Sequence, residues 1–243
     1  MAVTESEAED AQQADAPART PRRYVLIGGL VIGGVIGGAA APLLARRGAQ
    51  RPSGADWAQS PYAEDIDWLA EWSIIDPAAD GPFRPAEVIT RAETAVLFYR
   101  FAGSPEYPSL SLEPFRDVPE NAQDRTEILW MRGQGVVLGT FDANFRPTEQ
   151  ISRGEACALF FRLLGVALAR HQKAAGTTPD PDAPSAFSDV PVEHRYASAL
   201  RWAEQAGLIT DQLVPDGRVR PDQLLRREEM AHLLRSAEQL FAI

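Results

Sequence analysis

Three arginines stand where helix chemistry alone would not put them. Arg91, Arg153 and Arg227 occupy Thr90-Arg-Ala-Glu93, Ser152-Arg-Gly-Glu155 and Arg226-Arg-Glu-Glu229. The Thr-x-x-Glu and Ser-x-x-Glu spacing is that of a capping box, in which the hydroxyl accepts from the third helical N–H and the Glu carboxylate reaches back to the N–H of the cap. It predicts a helix start at each motif and gives Thr90, Ser152, Glu93 and Glu155 a structural task. The arginines need another reason, because a cation in the first turn opposes the helix dipole at a cost of about 0.3 kcal/mol or more. Two chemistries would favour it. A guanidinium beside free N–H groups at a helix start binds a carboxylate or phosphate through parallel hydrogen bonds. Alternatively, each Arg pairs with a carboxylate of the chain itself, with Asp117 and Asp189 as candidates.

Other residues that could do chemistry are fewer. Trp68, Trp130 and Trp202 read first as buried faces of helices and second as platforms for a sugar ring. Asp117 and Asp189 have the position of caps on a helix start, with hydrogen bonds to sugar hydroxyls as the alternative. The single Cys157 excludes an intramolecular disulfide, a Cys-cluster zinc site and an iron–sulfur centre, and it aligns with Ala95 and Ala231 as a small core residue. His171, His194 and His232 are far apart, His232 aligns with Val96 and Ala158, and no hydrolase triad signature is present. The sequence therefore predicts no metal, no cofactor and no catalysis.

The elements that must hold these residues repeat. With Trp68, Trp130 and Trp202 superposed, Phe83 and Phe145 follow after fifteen residues and Val219 after seventeen, each opening Phe/Val-Arg-Pro. The arginines come eight residues later and the glutamates ten. Phe115-Arg-Asp-Val118 and Phe187-Ser-Asp-Val190 each begin fifteen residues before their Trp, whereas Ser53 holds that place in the first copy, which therefore reads as lacking the opening. The copies span about 55–103, 115–165 and 187–237, with 166–186 as a linker whose Pro and Asp content argues against a packed element. Each copy reads as helix, loop, helix, the first helix covering the Trp and ending near Gly135 or Gly207. Units this small must share a core, so the expected fold is mostly α, three helix-loop-helix repeats in a compact pseudo-threefold bundle.

The first 54 residues differ. Residues 1–23 form a polar leader ending in Arg22-Arg23, 24–45 form an uncharged run long enough to span a bilayer, and 46–54 read as a stem. The run is either a cleaved signal peptide, its arginine pair similar to a twin-arginine export signal, or a transmembrane helix, whose Gly29-x-x-x-Gly33-x-x-x-Gly37 offers a face for self-association. Both place the repeats outside the cytoplasm. The full 243 residues carry a formal charge of −10, which argues against a protein that grips nucleic-acid phosphates.

Ile89-Thr-Arg-Ala-Glu93 with upstream Phe83-x-Pro85, and Phe115-x-Asp117-Val118, resemble the S-layer homology (SLH) domain. The resemblance implies a three-repeat spindle without catalysis, exported to the cell wall or cell surface. There it holds to wall polysaccharide, often pyruvylated, through clefts between repeats. On that basis Arg91, Arg153, Arg227, Trp130, Asp117 and Asp189 are the expected glycan ligands. The alternative is a membrane-anchored protein-interaction scaffold of the envelope.

Overall fold

The computed structural model describes residues 51–106, 115–137, 143–175 and 187–240. The expected membrane segment at 24–45 lies outside these residues, and among those described no helix is long and apolar enough to cross a membrane. Among the described residues six helices carry the fold: α1 (Ala63–Glu71), α2 (Arg91–Phe101), α3 (Arg125–Gly133), α4 (Arg153–Ala175), α5 (Ala197–Ala206) and α6 (Arg227–Gln239). They alternate short and long, one pair for each repeated motif.

Local chemistry sets the boundaries. Thr90 starts α2 with a complete capping box: its hydroxyl accepts from the Glu93 N–H, and its own N–H donates to the Glu93 carboxylate. Ser152 accepts from the Glu155 N–H at the start of α4. At α6 only the return half exists, because the Arg226 side chain has no acceptor; Glu229 still receives the Arg226 N–H at 2.8 Å. Gly207 closes α5 in the left-handed conformation that glycine adopts at least cost. One expectation is corrected here: α4 runs through Ala175, so 166–175 of the presumed linker is helix. Apart from Val166 and His171 that stretch is Ala, Leu, Arg, Gln and Lys, all good helix formers, and the first proline after it is Pro179.

Packing is between repeats as much as within them. Helix α2 lies against α3, α4 against α5, and α6 returns to α1, so the last copy closes on the first. Aromatic contacts mark two of the three seams: Tyr99 meets Trp130 edge-on at 5.6 Å, and Phe161 meets Trp202 at 5.4 Å. One continuous core, including Phe98, Phe115, Phe145, Phe160, Ile66, Ile128 and Leu200, runs through all three units. Cys157 is buried within it, and burial pushes its thiol up to about 12.

Candidate functional site: the inter-repeat ring and the closing cleft

At the centre three strands of loop meet in a ring of backbone hydrogen bonds. The Ile89 N–H donates to the Leu225 carbonyl at 3.0 Å, Leu225 to Ile151 at 2.9 Å, and Ile151 to Ile89 at 3.2 Å. Three isolated antiparallel bridges, Val88 with Arg226, Thr90 with Gln150 and Ser152 with Leu224, surround it.

The ring also consumes the helix starts. In α2 the Arg91 and Ala92 N–H groups donate to the carbonyls of Glu149 and Pro147; in α4 Arg153 and Gly154 donate to Gln223 and Pro221; in α6 Arg227 and Glu228 donate to Glu87 and Pro85. Each helix thus spends its first donors on the neighbouring repeat. The first two N–H groups of each helix, on which an anion site would draw, are already bonded.

Each arginine follows the same route. Arg91 donates through Nε to the Phe145 carbonyl at 2.7 Å and pairs with Glu155. Arg227 donates to the Phe83 carbonyl at 2.6 Å and pairs with Glu93 at 2.5 Å. Arg153 donates to the Val219 carbonyl at 3.1 Å and pairs with Glu229 at 2.5 Å, in the most buried of the three pairs, with side chains 8% and 7% exposed. The carboxylate partners are the glutamates at the start of the next repeat's motif helix, and in Glu93 and Glu229 one carboxylate serves both its own helix start and the neighbour's guanidinium. Arg91 and Arg227 additionally lie over the rings of Phe145 and Phe83, with the guanidinium carbon 5.0 and 5.1 Å from the centroid. Burial lowers the Arg227 pKa, with Glu93 opposing.

Asp117 and Asp189 do not pair with these arginines and do not cap the short helices, whose N-terminal residues Asp124 and Tyr196 make no side-chain cap. Asp117 accepts the N–H groups of Phe145 at 2.7 Å and Arg146 at 2.6 Å; Asp189 accepts those of Val219 at 3.2 Å and Arg220 at 2.8 Å. Each clamps the Phe/Val-Arg-Pro loop, in which Arg84, Arg146 and Arg220 all hold positive φ (55, 62 and 53°). The first repeat has its clamp as well: Asp56 accepts from Phe83 at 3.1 Å and Arg84 at 2.6 Å. The opening expected to be missing is present one residue out of register, with Trp57 after the Asp where the other copies have valine. Trp130 is 2% exposed, while Trp68 and Trp202 are half-buried at the core edge. The structure therefore links four of the expected site residues through two loop residues: Asp117 and Arg91 through Phe145, Asp189 and Arg153 through Val219.

Sequence reasoning passed over the polar cleft where the third repeat closes on the first. It has a volume of about 620 Å³, and Tyr62, Asp65, Thr210, Gln212, His232 and Arg235 line it. His232 Nδ1 lies 2.7 Å from the Asp65 carboxylate and Nε2 lies 2.6 Å from the Thr210 hydroxyl, while Arg235 donates to the other Asp65 oxygen at 2.9 Å. Burial raises the Asp65 pKa, but the bonds from His232 and Arg235 outweigh it and hold the carboxyl below its ordinary value. Tyr62 reaches across to the Gln212 carbonyl at 3.1 Å, and its phenol is pushed up to about 12, first by burial. The available signal was His232 and Arg235 one helical turn apart on a motif helix, at positions where the other copies carry Val96 and Tyr99, or Ala158 and Phe161. Among the described residues no group of His, Cys, Asp and Glu could hold a metal ion.

Comparison with known proteins agrees with this architecture. Residues 55–95 and 114–157 match the family described as the S-layer homology domain. The chain is 30% identical over 159 residues to cell surface glycoprotein 1 of Acetivibrio thermocellus, covering 65% of this chain and 7% of that protein. It is 30% identical over 128 residues to an amylopullulanase of Thermoanaerobacterium thermosulfurigenes and 31% identical over 118 residues to endo-1,4-beta-xylanase A of Thermoanaerobacterium saccharolyticum. These alignments cover 52% and 48% of this chain but only 6% and 9% of the two enzymes. The third motif lies outside the two segments that match the family, yet Asp189, Arg227 and Glu229 occupy the places of Asp117, Arg91 and Glu155 in the ring.

Proposed function

We propose that this chain, which carries S-layer homology domains at residues 55–95 and 114–157, is a non-catalytic cell-envelope protein that binds an anionic wall polysaccharide and so attaches itself to the cell surface. Three relatives with unlike names share this segment as a small part of their length, which supports a role independent of hydrolase chemistry. The observation that carries the reading is the cleft at the closing seam, walled by two repeats and lined by hydroxyl, imidazole, carboxylate and guanidinium groups. Such a surface suits the many hydroxyls of a glycan, with Arg235 to meet an acidic substituent. The arginines of the ring serve this function indirectly, by fixing the angle between repeats. Direct glycan contact by Arg153 would require it to leave Glu229 buried and unpaired.

An envelope scaffold would bind through a contiguous apolar patch. Among the described residues the exposed large apolar side chains, Phe161, Val166, Val192 and Leu224, are distributed over α4 and two separate loops, which favours the glycan. The test is co-sedimentation of the full chain with purified wall, before and after chemical removal of acidic substituents. Retention that depends on those substituents is expected. Equal retention on untreated and stripped wall, or none on either, refutes an anionic glycan ligand.

A further inference from the structure

The three seams are built on one plan but filled differently. At the seam between the second and third repeats, Tyr196 lies so close to the start of α4 that a Cβ added to Gly154 would stand 2.5 Å from its ring. At the same seam Phe161 covers Trp202. At the seam between the first and second repeats, Tyr99 covers Trp130, and the place of Tyr196 is taken by Asp124. At the closing seam Glu228 replaces Gly154 and holds the Ser60 hydroxyl at 2.6 Å. Tyr62, the counterpart of Tyr196, turns instead toward His232, with ring centroids 5.2 Å apart. Arg235 stands where the other seams have Tyr99 and Phe161, so at that place on α6 a guanidinium replaces the aromatic ring.

From these differences we infer that the closing seam alone takes the glycan, one acidic sugar unit per chain, with Arg235 as the residue that selects for its acidic substituent. The inference rests on the proposed glycan-binding function and narrows it to one of three repeat junctions. Arg235 is suited to this role because its bond to Asp65 uses one guanidinium nitrogen, Nη1, and its side chain is 33% exposed. A carboxylate arriving there finds a guanidinium already oriented by Asp65, so little side-chain entropy is lost on binding. The Thr210 hydroxyl, held by His232 Nε2, keeps a lone pair in the cleft that can accept from a ring hydroxyl. At the other two seams the corresponding positions offer an aromatic ring and no cation.

The test counts ligands directly. Size-fractionated acidic oligosaccharide released from the wall is added to the full chain, and occupancy is read by native mass spectrometry. One bound oligosaccharide per chain is expected. Arg235→Ala should weaken it at least tenfold, Arg235→Gln should weaken it for the acidic form while sparing the form stripped of its acid, and Phe161→Ala should leave it unchanged. Urea midpoints of the variants separate lost binding from lost fold, and Gln212→Ala, at an exposed rim position, gives a second probe of the same cleft. Two or three oligosaccharides per chain overturn the single-site inference while leaving wall binding intact. A second ligand removed by Trp130→Phe would place that extra site at the first seam, where the indole Nε1 and Glu127 Oε2 have no partner among the described residues. Undiminished binding in both Arg235 variants also overturns it. No binding at any concentration refutes the glycan function itself.

Discussion

Replacing Arg153 with alanine should unfold more than it relieves. From the helix dipole alone, removal of a cation from a first turn would be neutral or slightly stabilising, by a few tenths of a kcal/mol at about 0.3. The structure reverses that sign. Arg153 is 7% exposed, bonds Glu229 at 2.5 Å and the Val219 carbonyl at 3.1 Å, and its loss leaves Glu229, itself 5% exposed, as a buried charge whose cation is gone. Removing one partner of such a pair costs about 3–5 kcal/mol, against a total stability of roughly 5–15 kcal/mol for a domain. For a domain of this size that is a fall of roughly 6–20 °C in Tm. Urea unfolding followed by far-ultraviolet circular dichroism measures it. Arg153→Met with Glu229→Leu, which removes both charges and keeps the volume, should recover most of the loss. The Arg91→Ala change should cost less, because its pair with Glu155 is 16% and 22% exposed. A cost below about 1 kcal/mol for Arg153→Ala, with the carbonyl and carboxylate partners unchanged, would refute the claim that the pair holds the ring.

Three further outcomes follow from local chemistry. Asp65 has its pKa held below the ordinary carboxylate value, so its contribution to stability is fully present above the unfolded pKa and is lost as pH falls through the folded one; urea midpoints should decline as pH falls below about 4, and less so in Asp65→Asn. A decline as steep in the variant as in the parent would assign the acid sensitivity elsewhere. Cys157, fully buried with its thiol pushed up to about 12, should resist Ellman's reagent in the native protein and react at once in urea; rapid native labelling would show that the core around α4 opens readily. Arg84→Gly removes a side chain from a backbone held at φ 55°, and should stabilise the domain by about 0.5–1 kcal/mol if the exposed pairs of Arg84 with Glu87 and Glu93 contribute little. A lower melting temperature would show that those pairs matter.

Periodic features were legible in the chain because each has a local cause. Helix starts at Thr90 and Ser152 follow from hydroxyl and carboxylate three residues apart, and a helix pair per motif follows from apolar spacing. What could not be read is the identity of partners across repeats. Spacing shows that Arg91 and Glu155 lie at fixed places in successive copies, but only closure of the ring brings them together, and nothing local distinguishes Glu155 from Asp117 as the counterion. The first copy's clamp was hidden for a different reason. Its loop is one residue shorter between Asp56 and Phe83 than between Asp117 and Phe145, so strict register put Ser53 where no function lies. The closing cleft was hidden most deeply, since Asp65 and His232 are 167 positions apart.

The third motif shows which parts of the pattern the ring requires. Arg226 stands where Thr90 and Ser152 stand, so the hydroxyl half of the capping box is absent from α6, and Val219 stands where Phe83 and Phe145 stand, so Arg153 has no ring beneath it. Both losses are of the kind that cost about 1 kcal/mol singly. Arg227, Glu229 and Asp189 remain, and these make the interactions that cross from one repeat to the next or fix the loop that receives them. A cap stabilises one helix, whereas each Arg–Glu pair holds two repeats at a fixed angle, and three in a cycle leave no repeat free to rotate without breaking two. The same closure gives Glu228 its role. At its position Gly154 admits an aromatic ring, while a carboxylate held by Ser60 leaves the seam open. The divergent third motif and the open cleft are therefore one feature: sequence departures tolerated by the ring are what make the last junction chemically unlike the first two.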